Sequence, residues 1–193
     1  MKKLLVTLSV LSLPFFIMSM MPDPSSSGAP ASHTGAPDEN TCGAVGCHDD
    51  KAINSGTAKL NIEIGNSITQ YVPGKTYKIK VKITDAKVTR FGFQVVALFD
   101  QDHSNAGTIQ ITDLKRTQIV TNYKDLTNRK YITYTFNGTD AVSSGVGEWT
   151  FDWTAPTNNL GPVTFYTGGV SANDDMDDQG DYVYTNSVTI TKQ

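Results

Sequence analysis

Between residues 77 and 83 the chain reads Tyr-Lys-Ile-Lys-Val-Lys-Ile, a strict alternation of apolar and cationic side chains. In extended backbone, successive side chains point to opposite faces, so Tyr77, Ile79, Val81 and Ile83 collect on one face and Lys78, Lys80 and Lys82 on the other. A helix would mix the two sets around its circumference. The same period runs through Ala58–Ile64 and Phe91–Phe99, and all three segments are expected as strands with one face in a core and the other in water. Further strands are expected at Gly107–Thr112, Thr117–Thr121, Tyr131–Phe136, Glu148–Trp153, Pro162–Thr167 and Tyr182–Thr191. Turn-rich stretches such as Val72-Pro-Gly-Lys75 and Thr154–Pro162 separate them. Trp149, Phe151 and Trp153 alternate, as do Tyr182 and Tyr184, which favours core packing over an exposed carbohydrate platform. Neither a sustained helical period nor an internal repeat is present. Seven to nine short strands predict an all-β fold, an antiparallel β-sandwich.

At 193 residues with 38% hydrophobic side chains, the chain can fill one core of ordinary size. Its 16 basic and 19 acidic residues give a net charge of -3, and no Lys/Arg cluster follows Lys3, which excludes nucleic acid as a partner. Residues 1–21 have the layout of a signal peptide: Lys2 and Lys3, then a mostly apolar stretch from Leu4 to Met20. Pro14 interrupts that stretch, so export is expected rather than stable membrane insertion. Residues 22–41 are too poor in large apolar groups to offset chain ordering and are expected as a flexible leader. Residues 42–57 form a Cys/His segment, and residues 58–193 the sandwich.

Chemistry is concentrated at Cys42, Cys47 and His48. Covalent haem attachment needs two nearby thiols to add to the two vinyl groups, with a His directly after the second to place imidazole under the iron. The order Cys-Cys-His meets this, although four residues, Gly43 to Gly46, separate the cysteines where two are usual. The other reading is a disulfide between the only two cysteines of an exported chain, contributing about 2 kcal/mol in the chain-entropy model for so short a loop. Both readings stay open at this point. A Cys/Cys/His metal site lacks a fourth ligand at recognisable spacing. For a second axial ligand the chain offers His33, His103 and Met176, the only methionine beyond the signal region.

Asp174, Asp175, Asp177, Asp178 and Asp181 cluster in Asn173–Asp181. Calcium prefers several oxygen ligands from one loop. The spacing is not that of an EF-hand and the flanks read as strands, so a solvated acidic hairpin tip is favoured over a calcium site. Neither a nucleophile elbow, nor a phosphate loop, nor a catalytic His/carboxylate pattern occurs in the sequence, and the chain is not expected to be an enzyme.

Gly35-Ala-Pro37, Tyr71-Val-Pro-Gly74, Arg90-Phe-Gly-Phe-Gln-Val-Val-Ala97, and Trp149–Pro156 followed by Gly161–Phe165 occur in an order that resembles the Reeler (reelin N-terminal) domain. The similarity runs from about residue 33 to the end of the chain. The Thr34-Gly-Ala-Pro lead-in near the Cys/Cys-His segment resembles the version found in exported proteins of Bacteroidetes-type bacteria. The resemblance implies an immunoglobulin-like sandwich in an extracytoplasmic location, without an established catalytic activity. It also implies a His in the strand where this chain has Tyr134, which marks a lost ligand or a packing change. The sorting module carried by many such relatives has no counterpart before Lys192-Gln193, so a periplasmic or released protein is expected. The functional expectation is a non-enzymatic binding or structural module of the cell envelope with an envelope or extracellular ligand. The alternative is a monohaem c-type protein, with a redox partner, for electron transfer or ligand sensing.

Overall fold

The computed structural model of the protein describes residues 27–121 and 128–193; the expected signal peptide lies outside them. Ten strands follow one another: β1 (Lys59–Ile64), β2 (Gln70–Tyr71), β3 (Thr76–Thr84), β4 (Arg90–Phe99), β5 (Thr108–Ile111), β6 (Thr117–Thr121), β7 (Lys130–Tyr134), β8 (Val146–Thr154), β9 (Val163–Ala172) and β10 (Tyr182–Lys192). They form a four-stranded sheet in the order β1-β3-β8-β5 and a six-stranded sheet in the order β2-β10-β9-β4-β7-β6. The neighbours pair antiparallel, except β2, which runs parallel to the end of β10. The chain is an all-β sandwich, as the alternation predicts.

The alternating residues meet between the sheets. Lys78, Lys80 and Lys82 of β3 stand opposite Asp152, Thr150 and Glu148 of β8 on the wet face, while Ile79, Val81 and Ile83 are fully buried. Trp149, Phe151 and Trp153 fill the interior. Phe93 stacks on Trp149 with ring centroids 4.4 Å apart, and Phe165 meets Trp153 edge-on at 5.0 Å. Both indole N–H groups are satisfied: Trp149 donates to the Gly138 carbonyl and Trp153 to that of Ala106, each at 2.8 Å.

Four details differ from the sequence expectation. β2, at two residues, is too short to carry a period. β7 ends at Tyr134, and Phe136–Gly138 form a 3-10 turn that supplies the carbonyl for Trp149. β9 continues through Gly168 and Gly169 to Ala172, although glycine pairs usually weaken a strand reading. Finally, β4 is buried on both faces rather than one.

The cause of that double burial is an arm, residues 27–57, laid across the outer face of the six-stranded sheet. Gln94, the one amide in the apolar run of β4, points outward: its Nε2 donates to the Pro30 carbonyl at 2.7 Å and its Oε1 accepts from the His33 N–H at 2.8 Å. Farther along, the fully buried Glu39 carboxylate meets Arg129 Nη1 and accepts from the Tyr131 hydroxyl, each at 2.8 Å. Arg129 also donates to the carbonyls of Pro37 and His103. Asn54 docks on β10 through the Val183 carbonyl and the Thr185 N–H. The segment expected as a leader thus has few large apolar groups, and hydrogen bonds to buried polar side chains hold its described part, residues 27–41, on the sheet.

Candidate functional site

Two cross-strand rows on the outer face of the six-stranded sheet make the floor of the site. One row is Gly92, Val170 and Val183, and the next is Gln94, Gly168 and Thr185. Cys42, buried, packs on Val170 and Val183 with Ala172 alongside. Gly168 makes this approach feasible: a β-carbon there would lie 2.5 Å from the His33 carbonyl oxygen and 3.4 Å from Cys42 Sγ. The Cys42 thiol donates to that same carbonyl at 3.6 Å.

From Cys42 the chain turns back on itself. The Cys47 N–H donates to the Ala44 carbonyl at 2.9 Å and the His48 N–H to the Cys42 carbonyl at 3.2 Å. Gly46 adopts φ +82°, the left-handed conformation that glycine enters without a side-chain clash. The turn therefore brings the His48 backbone back to Cys42, and both thiols are free. Burial, and then the neighbouring Cys47, push the Cys42 thiol up to about 12.

His48 has a partner from the far end of the chain. Its Nδ1 lies 2.7 Å from Oδ2 of Asp181, a residue only 2% exposed. The other carboxylate oxygen, Oδ1, accepts from the Asn173 N–H at 2.9 Å. The Nδ1 atom is shut off from water and the contact is a close approach short of hydrogen-bond alignment. The His48 side chain is 30% exposed, so its accessible part is the rest of the ring, away from Nδ1.

On the same face the Tyr134 ring occupies the space that Gly92 leaves, since a β-carbon on Gly92 would fall 2.8 Å from Tyr134 Cε1. Burial pushes the Tyr134 phenol well above its ordinary range, and the nearby Cys42 and Cys47 push it further in the same direction. The strand position that the Reeler resemblance singled out therefore lies within electrostatic reach of both cysteines.

The side chains of the remaining candidates make other contacts. His33 Nδ1 donates to the carbonyls of Pro30 and Ala31, each at 3.0 Å. His103 sits in the turn after β4, at the opposite end of that strand from Gly92, and Met176 is 92% exposed. In the acidic loop, Asp174 pairs with Arg90 at 3.2 Å. Asp175 and Asp177 accept backbone N–H groups two residues on, and Asp178 accepts from the Gln179 amide. Asp181 turns inward to His48. Among the described residues no three His, Cys, Asp or Glu side chains are arranged to hold a metal ion.

Sequence reasoning located Cys42, Cys47 and His48 because they are adjacent in the chain. It placed Asp181 with the acidic loop, and it missed Gln94, Glu39 and Arg129. Gln94 left one signal, an amide inside an apolar strand; Arg129 left none.

No protein-family model and no curated protein matches the chain. Solved structures do. The Reelin-N domain of F-spondin is similar over 76% of this chain and 94% of its own, at 20% identity with a TM-score of 0.53. The human F-spondin reeler domain (fragment 1) is similar over 69% of this chain and 89% of its own, at 19% identity with a TM-score of 0.50. These likenesses agree with the strand pattern and the motif order: the chain has a Reeler-like fold.

Proposed function

We propose that this chain is an exported, non-enzymatic Reeler-like module of the cell envelope that acts by binding. The observation supporting it most directly is the solid interior. Trp149, Trp153, Phe93, Phe151 and Phe165 fill the space between the sheets, so recognition falls to the surfaces. The arm covers the outer face of the six-stranded sheet. The four-stranded sheet keeps an open polar face, with a shallow concavity lined by Asn61, Glu63, Lys80, Lys82 and Glu148. Among the described residues no helix is long and apolar enough to cross a membrane. In a diderm bacterial host the tagged full chain is expected outside the cytoplasm, shortened by its first residues, and to co-sediment with isolated envelope fragments. A full-length product retained in the cytoplasm overturns export. A processed product left wholly in the supernatant overturns envelope binding.

A second reading has its own observation, the carboxylate behind His48. A haem-ligating imidazole usually has its other ring nitrogen held by a carbonyl or carboxylate, and the Asp181 carboxylate lies 2.7 Å from Nδ1. Val170, Val183 and Ala172 around Cys42 give the apolar surroundings that a thioether suits. Cys42 and Cys47 would hold haem by adding S–H across its two vinyl groups. Each addition would place sulfur on one vinyl carbon and hydrogen on the other, with no oxidant consumed. Bound haem would supply one-electron chemistry or small-ligand binding at the iron. Co-expression with cytochrome c maturation proteins tests this reading. A red product whose Soret band survives acid-acetone extraction is expected, and a colourless product of unmodified mass overturns it.

A further inference from the structure

We infer that Asp181 is the positioning residue of His48: it holds the proton of the neutral imidazole on Nδ1 and so presents Nε2 as the free coordinating nitrogen. The inference rests on the second reading of the site, in which His48 is a metal-binding ligand. A neutral imidazole carries its proton on one nitrogen and a lone pair on the other. In water the Nε2–H tautomer predominates, which is the wrong one for coordination through Nε2. An ionised carboxylate can only accept, so a fixed one beside Nδ1 selects the Nδ1–H form.

Asp181 has the properties that this requires. It is 2% exposed, and its Oδ1 is tied to the Asn173 N–H at 2.9 Å, which leaves Oδ2 facing Nδ1 at 2.7 Å. Nδ1 is shielded from water, so solvent cannot replace the carboxylate as its partner. His48 is held from its own side as well, through its N–H to the Cys42 carbonyl. Next to it, Asp50 accepts from the Gly180 N–H at 2.9 Å, so the Cys/His loop and the loop carrying Asp181 are joined by a second contact. The acidic loop thus acquires a role different from the calcium binding that its composition suggests. Its last carboxylate is a support for the histidine.

The test separates this inference from the haem reading. In the haem-free chain, labelled with ¹⁵N-histidine and examined at alkaline pH, His48 is expected as the Nδ1–H tautomer. Its signals are identified by their loss in His48→Gln. Asp181→Asn keeps the acceptor for Asn173 but can offer its amide N–H to Nδ1, and the tautomer ratio is expected to invert. A wild-type His48 protonated on Nε2, or one tautomer shared by wild type and variant, overturns the inference. The wild-type measurement stands by itself if the variant fails to fold. With haem attached, Asp181→Asn is expected to move the midpoint potential in the positive direction, because a less basic imidazole stabilises ferric iron less. An unmoved potential also overturns the inference. A wild-type chain that acquires no haem overturns the haem reading alone.

Discussion

The Sγ of Cys42 rests on Val170 and Val183 and donates to a backbone carbonyl of the arm, surroundings that disfavour a thiolate. The ordinary value of 9.0 is raised to about 12, by burial first and by Cys47 second. The consequence for stability has a definite sign. Between pH 9 and about 12 the unfolded chain releases this proton while the folded chain keeps it, so the fold is progressively weakened as pH rises through that window, by about 1.4 kcal/mol per pH unit. Below pH 9 the contribution is constant. Urea melts of wild type and Cys42→Ala across this range are expected to diverge, with the wild type losing stability more steeply; parallel curves would show that the thiol is not held neutral by the fold. At this scale the sequence was informative for neighbours and silent on partners. Cys42, Cys47 and His48 were legible as a unit because one short loop contains them. The Asp181 contact was not legible, since antiparallel pairing of β9 and β10 is what returns that residue to the loop.

The arm is the element on which the site depends. Among the polar contacts by which it reaches the sheet is the buried pair of Glu39 and Arg129, with side chains 0% and 5% exposed. Removing one member leaves a charge in the interior without compensation. Arg129→Ala is therefore expected to cost about 3–5 kcal/mol in a denaturant melt and to open residues 27–57 to proteolysis. Glu39→Gln combined with Arg129→Met, which removes both charges, is expected to recover part of that loss. A melt unchanged by Arg129→Ala would mean that the clamp does not hold the arm. Composition leaves the polar anchoring of residues 27–41 unread for a physical reason. Leader-like sequences fail to fold when they have only apolar burial to draw on, whereas this one docks on acceptors and donors that the sheet presents.

At the scale of the molecule, the arm acts as a cover over apolar positions of the six-stranded sheet. Val96, Leu98, Tyr131, Val170 and Val183 are all buried beneath it or beside it. A chain beginning at residue 58 should expose a contiguous apolar patch of the kind soluble monomers avoid. It is expected to bind a hydrophobic dye and to self-associate in gel filtration; a monodisperse, dye-silent truncation would show that the arm is dispensable. The sequence by itself determined the strands, their inward faces and the all-β class, because side-chain alternation is a local property of extended backbone. It also determined that two thiols and an imidazole share one loop. Only the tertiary structure decided that residues 27–41 lie on the sheet, that β4 has no wet face, and that Asp181 stands behind His48. Each of these depends on pairing between distant segments, and polar partners such as Gln94, Arg129 and Asp181 carry no periodic signal of where they will meet.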